Sequence, residues 1–267
     1  MSNPAAADSA ARGSPDHLAS LFRLDGQVAL VTGATTGLGF EIAQALAGAG
    51  ATLAVHGRDD ARVRSAAARI RGSEAVVFDL NDAAAARAAV DGVVNRLGRL
   101  DVLVGNAGIR DRSAFLQTTS QGLRDVLETN LVANFELARL VSPYMLASGG
   151  GRIIFISTVG ASRGPRLGST YAASKAGLEA LTRSLAVELG PLNIRVNAIS
   201  PGFFATEFNE QLLKEPTVAE TILKRVPLRR CGSPNEMVGP ALFLASSASS
   251  YVNGQILVVD GGLTIAA

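Results

Sequence analysis

Short apolar runs rich in valine, isoleucine and leucine alternate along the chain with longer stretches whose apolar residues recur at helical spacing. The short runs read as strands at 28–32, 52–56, 75–78, 102–105, 152–157, 194–199 and 256–259. Between them, the longer pattern predicts helices over 37–49, 60–71, 83–96, 123–147, 171–189 and 234–244. Runs such as Ala29-Leu30-Val31 and Val102-Leu103-Val104 are apolar at successive positions, so both faces of their sheet must be covered. Ser233-Pro234 offers a helix N-cap followed by proline at the first helical position, and Gly190-Pro191 stops the long helix before the sixth strand. The expected fold is α/β: a doubly wound, seven-stranded parallel sheet with helices on both faces. In such a sheet ligands bind outside the carboxyl ends of the strands, where the strand order reverses.

A chain of 267 residues, 48% of them apolar, can bury one large core, and no linker or internal repeat divides it. One domain is expected over 21–267, preceded by a flexible tail over 1–20 that is rich in alanine, serine and proline. The stretch 203–230 lacks strand character. Because it follows the sixth strand, it is expected to form a lid over the open end of the site. No apolar run reaches the roughly 18 residues of a membrane span, so no membrane association is expected. The 25 basic and 23 acidic residues leave a net charge of +2 without a clustered Lys/Arg run, which argues against nucleic acid as a partner. The one cysteine, Cys231, cannot form an internal disulfide, which fits a reducing, cytoplasmic setting. No metal site is expected.

Tyr171 and Lys175 lie one helical turn apart in Tyr-Ala-Ala-Ser-Lys, on one face of a predicted helix. A free tyrosine, with a pKa of about 10, is a poor base at neutral pH. A fixed ammonium beside it favours the phenolate and lowers that value. Upstream, the first strand runs into Thr32-Gly33-Ala34-Thr35-Thr36-Gly37-Leu38-Gly39 and then a helix. Glycines here permit a tight turn and let a pyrophosphate approach backbone N–H groups at the helix N-terminus. Their spacing is looser than the usual dinucleotide fingerprint, and the Gly-Lys-Ser/Thr ending of a P-loop is absent.

Together with Asn106-Ala107-Gly108, Asn130 and Pro201-Gly202, in this order, these motifs resemble the short-chain dehydrogenase/reductase family, and the resemblance runs over 24–265. It implies a Rossmann-like fold and hydride transfer between a nicotinamide cofactor and a carbonyl/alcohol pair. For Tyr171 it implies the general acid/base, and for Lys175 the group that lowers the phenol pKa and bonds the nicotinamide ribose. For Asn130 it implies a helix residue holding a water that links Lys175 to solvent. Where the family usually has a serine this chain has Thr158, whose hydroxyl is expected to donate to the substrate carbonyl; strand alternation turns Ser157 the other way. Gly105 stands where many members have an asparagine. The implied cofactor contacts begin with Gly33, Thr35, Thr36, Gly37, Leu38 and Gly39 on the turn. Arg58, Asp79 and Leu80 follow at the adenosine end, then Asn106, Ala107 and Gly108 beside the ribose. Tyr171, Lys175, Pro201, Gly202, Phe204 and Thr206 complete the set about the nicotinamide.

NAD-selective members place an acidic residue at the end of the second strand. This chain has Gly57 there, followed by Arg58, whose guanidinium can clamp a 2′-phosphate, so NADP(H) is favoured, with NAD(H) the alternative. Asp59 and Asp60 either pair with Arg58 or begin the next helix. Within the family the chain is most similar to gluconate 5-dehydrogenase-type members, through Leu21-Phe22-Arg23-Leu24, Pro201 to Glu207 and the tail Phe243 to Gly262 with its Tyr251-Val252-Asn253-Gly254. That similarity implies a keto-sugar acid such as 5-ketogluconate/gluconate as the small-molecule substrate; Arg110 and Arg112 follow the Asn-Ala-Gly turn, where an arginine can meet its carboxylate, and Arg112 is the one expected to do so. A 3-oxoacyl carrier-protein reductase is the alternative, although Ser148-Gly149-Gly150 and Gly190-Pro191-Leu192 lack the basic residues such enzymes use on an acidic carrier. A non-catalytic NAD(P)-sensing binding protein is the alternative of another class, and the Tyr171/Lys175 pair speaks against it. The family resemblance also implies a homotetramer, a dimer of dimers.

Overall fold

The computed structural model describes residues 15–209, 220 and 223–266. Seven parallel strands form one sheet: β1 (Val28–Val31), β2 (Thr52–Gly57), β3 (Ser73–Val77), β4 (Val102–Gly105), β5 (Gly151–Ile156), β6 (Ile194–Pro201) and β7 (Ile256–Val259). Their order is β3-β2-β1-β4-β5-β6-β7, so the winding reverses between β1 and β4. The helices are α1 (Pro15–Ser20), α2 (Gly37–Gly48), α3 (Asp60–Ala68), α4 (Ala83–Leu97), α5 (Ser120–Leu127), α6 (Ala133–Ala147), α7 (Ser169–Leu189) and α8 (Val238–Ala245).

Side-chain alternation along β1 divides the core in two. Ala29 and Val31 pack into one layer with α2, α3 and α8, while Val28 and Leu30 pack into the other with α4, α6 and α7. That arrangement is why successive strand positions are apolar, and every residue of β1 and β4 is buried. At the lower end of the sheet Asp101 accepts from Val28 N at 2.8 Å and from Arg99 at 2.6 Å, fixing the start of β1 against β4.

The helix expected over 123–147 is two helices. Between α5 and α6, Glu128–Val132 forms a π-helical turn, and Asn134 Nδ2 donates to the Asn130 carbonyl at 3.0 Å. The helix expected over 234–244 begins as a 3-10 turn, Pro234–Met237, with the Glu236 carboxylate accepting from Ser233 N at 2.8 Å. The expected tail covers 1–20. Residues 1–14 lie outside the described residues, but Pro15–Ser20 is helical, and the Leu21 carbonyl accepts from Ala248 N and Ser247 Oγ. Of the expected lid, Phe204 bridges to Gly232 and Glu207–Asn209 forms a 3-10 turn, while 210–219, 221 and 222 lie outside the described residues.

Gly105 has a packing reason. A Cβ there would lie 2.3 Å from Asn134 Oδ1 and 2.9 Å from Phe155 Cδ1, so the side chain of Asn134 fills the space beside it. Gly105→Asn should therefore cost about 1–3 kcal/mol in urea unfolding. Adding Asn134→Gly should recover much of that loss; additive losses would show that the two residues do not share this space.

Candidate active site

The carboxyl ends of β1 and β4 open, at the point where the winding reverses, into a cavity of about 700 Å³. Every residue expected to contact the dinucleotide lines it, and so does Thr158. Asn130 and Arg112 are not among the lining residues.

The turn after β1 is locked to the turn after β4 by Thr32 and Asn106. Thr32 Oγ1 accepts from the backbone N–H groups of Asn106 and Ala107 at 3.0 and 3.1 Å. Asn106 Nδ2 donates to the carbonyls of Thr32 and Gly33 at 3.0 and 2.9 Å. Their close approach excludes side chains, since a Cβ on Gly39 would meet the Gly33 carbonyl oxygen at 2.3 Å. Thr36, the N-cap of α2, makes no side-chain cap bond. The positive end of α2 is thus available to an anion, and Gly37, Leu38 and Gly39 line the cavity beside it.

At the end of β2, a Cβ on Gly57 would lie 2.8 Å from Val63 Cγ2 and 3.0 Å from Thr35 Cγ2, which leaves no room for a carboxylate. The two aspartates that follow are engaged elsewhere. Asp59 caps α3 by accepting from Arg62 N at 2.9 Å, and Asp60 pairs with Arg64 at 2.8 Å. Arg58 is left exposed on the cavity wall. Beneath it His56 is buried, its ring 4.0 Å from that of Phe78 and its Nε2 3.1 Å from the Phe78 carbonyl. Burial pulls its pKa down to about 4, against the opposing pull of the Phe78 carbonyl and Asp79.

At the other end of the cavity, α7 carries Tyr171 and Lys175 on one face, with Lys175 Nζ 5.9 Å from the Tyr171 ring centroid. Lys175 is buried, donates to the Ile156 carbonyl at 2.7 Å, and is pulled down to about 8 by desolvation. The phenol departs from expectation. Burial pushes the Tyr171 pKa above its ordinary value, and the charge that opposes this is Arg110, whose Cζ lies 5.5 Å from the ring centroid. Desolvation outweighs the cation, so the expected lowering by Lys175 is not the net result.

Thr158 Oγ1 accepts from Gly160 N at 3.3 Å at the head of the turn that follows β5. Ser157 turns away as alternation required, donating to Glu179 Oε1 on α7 at 2.8 Å. Asn130 is fully buried in the π-helical turn and brackets Ile109. Its Oδ1 accepts from Ile109 N at 2.8 Å, while Nδ2 donates to the Ile109 carbonyl at 2.9 Å and to Ser174 Oγ at 3.0 Å. Those bonds tie the loop after β4 to α7. Arg112 reaches Asn209 Oδ1 at 3.4 Å instead of the cavity, and Arg110 donates to the same oxygen at 3.1 Å. Of the two arginines it is Arg110 that lines the cavity, joined by Arg163, Arg166 and Arg225. Asn209 and these last three arginines were not singled out from sequence; they lie in loops, where no periodicity says which side chains converge.

A family model described as enoyl-(acyl carrier protein) reductase matches residues 33–264. The gluconate 5-dehydrogenase of Gluconobacter oxydans is 36% identical over 250 residues, which span 92% of this chain and 97% of that protein. A 3-oxoacyl-[acyl-carrier-protein] reductase of Thermotoga maritima is 38% identical over 247 residues, spanning 91% of this chain and 100% of that one. The crystal structure of a gluconate 5-dehydrogenase from Burkholderia cenocepacia, in complex with NADP and tartrate, matches with a TM-score of 0.91 at 37% identity. That match covers 94% of this chain and 100% of the other.

The buried neutral His56 makes stability depend on acid. Its folded pKa of about 4 lies below the unfolded value of 6.5, so its contribution is complete above 6.5 and is lost as pH falls from there through 4. The loss should approach about 3 kcal/mol in urea unfolding followed across that range. His56→Phe should flatten that part of the pH profile whatever its effect at neutral pH; an unchanged slope would contradict the assignment.

Proposed function

The chain belongs to the short-chain dehydrogenase/reductase family, and from that premise we propose an NADP(H)-dependent oxidoreductase that interconverts a hydroxyl and a carbonyl on a keto-sugar acid of the 5-ketogluconate/gluconate type. One observation carries the reading: a single cavity runs from the glycine turn and Arg58 at one end to Tyr171, Lys175 and Thr158 at the other. The residues present suit the cofactor. The glycine turn leaves the N-terminus of α2 clear for a pyrophosphate, and Gly57 with Arg58 suits a 2′-phosphate better than a second ribose hydroxyl. When bound, the nicotinamide supplies or accepts the hydride.

The chain's own residues handle the proton. In reduction the Tyr171 hydroxyl donates to the substrate oxygen, and in oxidation the phenolate takes the proton back. The Thr158 hydroxyl donates to the same oxygen and stabilises charge that develops there. Lys175, fixed by the Ile156 carbonyl, would bond the nicotinamide ribose, and Asn130 holds the loop after β4 against α7. Because burial keeps the phenol protonated, Tyr171 is better prepared at neutral pH to give a proton than to take one.

An acidic substrate is supported by the four arginines Arg110, Arg163, Arg166 and Arg225 on the cavity wall, and by the relatives that act on gluconate. The carrier-protein reductase reading keeps one point in its favour, the 38% identity of the Thermotoga enzyme. Against it stand the uncharged Ser148-Gly149-Gly150 and Gly190-Pro191-Leu192. We place the enzyme in the cytoplasm and propose a homotetramer. Its contacts would use the apolar groove of Leu131, Phe135, Ala180 and Leu181 and the exposed Val258 of β7. No helix among the described residues is long and apolar enough to cross a membrane.

NADPH oxidation measured with keto-sugar acids, simple ketones and acyl thioesters should be fastest with the keto-sugar acids. Preference for the thioester would favour the carrier-protein reading. Tyr171→Phe should leave NADPH binding intact while kcat falls by a factor of about 10² or more. Arg58→Ala should weaken NADPH about ten- to a hundredfold with little change for NADH. Equal losses for the two cofactors would refute the role given to Arg58.

A further inference from the structure

The loop after β4 brings a second cation to the reacting phenol, one that the family resemblance did not supply. Arg110 lies over the Tyr171 ring, with Cζ 5.5 Å from the centroid, closer than the 5.9 Å of Lys175 Nζ. The two cations are held differently. Lys175 gives a proton to the Ile156 carbonyl at 2.7 Å, on the sheet side of α7. Arg110 donates to Asn209 Oδ1 at 3.1 Å, and Asn209 in turn donates from Nδ2 to the Phe204 carbonyl at 3.0 Å. Asn209 is buried, so its amide is a fixed support, and the loop after β6 thereby sets where the guanidinium sits above the ring.

We propose that Arg110 is a positioning residue for the reaction: held by Asn209 over Tyr171, it adds a second counter-charge to the phenolate beside the Lys175 to which the resemblance assigns that duty. The proposal rests on Tyr171 being the acid/base of the proposed function, and it deepens that reading by tying the phenol to the segment that follows β6. Its electrostatic sense is simple. A cation over the ring favours the charged form, so removing it makes the phenolate harder to form. Among the described residues, the other charged groups near this end of the cavity come from each neighbouring element. They are Lys175 on α7 itself, Asp111 after β4 (bonded to Thr170 at 3.1 Å), Arg163 and Arg166 after β5, and Glu207 and Arg225 after β6. Arg112 shares Asn209 but does not line the cavity.

The test reads the phenol directly. Tyr171→3,5-difluorotyrosine places at this position a phenol acidic enough to titrate without denaturing the protein, and 19F NMR follows its ionisation in the full-length chain. Arg110→Gln should raise the titration midpoint by about one pH unit. Arg110→Lys should keep most of the wild-type midpoint, and Arg112→Gln should leave it in place. Asn209→Ala, which removes this support without removing the charge, should give a smaller rise, and it serves if Arg110→Gln does not fold. An unmoved midpoint in both Arg110→Gln and Asn209→Ala would overturn the proposal. Because the titration needs no substrate, it is separate from the turnover of Tyr171→Phe. Persistent turnover in that variant would refute the functional reading whatever the midpoints do.

Discussion

Taking a phenol and an ammonium out of water on one helix face is the constraint around which the rest of this structure is arranged. Desolvation disfavours both charges, raising the phenol and lowering Lys175 to about 8. Neither group is left without support. Lys175 keeps a carbonyl acceptor from the end of β5, and Tyr171 keeps Arg110 across its ring. Without those partners the burial would be an uncompensated penalty; with them it prepares a proton donor that water does not neutralise.

The sheet brings these partners together through its winding. Because β4 returns to the other side of β1, the turns after these two strands meet, and Thr32 and Asn106 stitch them at 2.9 to 3.1 Å. The loop that leaves this junction carries Ile109 and Arg110. Asn130 grips the first from a π-helical turn, and Asn209 grips the second from the far side of the cavity. A glycine turn built for an anion and a phenol built for a proton thus belong to one hydrogen-bonded framework.

Much of this was legible in the sequence because it depends on short-range rules. Apolar runs and helical periodicity located every strand of the sheet, and the glycine turn and the Tyr171/Lys175 spacing located both ends of the cavity. Ser157 turned inward towards Glu179 as two-residue alternation demands. What was hidden depends on contacts between distant segments. The π-helical turn exists where Asn134 donates to Asn130, and Asn134 fits only because Gly105, far off in sequence, has no side chain. Likewise Arg110 and Arg112 are indistinguishable as letters two places apart in a loop. Both reach Asn209 Oδ1, and only the folded path of the loop puts Arg110 on the cavity wall and Arg112 off it. The expected lowering of the tyrosine by its lysine failed for a related reason: spacing reveals a neighbour's charge but not the depth of burial that opposes it.

The pH profile of kcat for NADPH-driven carbonyl reduction by the unaltered protein tests the central claim most directly. A buried phenol as the proton donor predicts a plateau through neutral pH with a fall only on the alkaline side, as the hydroxyl is lost. A rate that instead falls as pH rises through about 6 to 7, the range of an ordinary imidazole acid, would contradict the account.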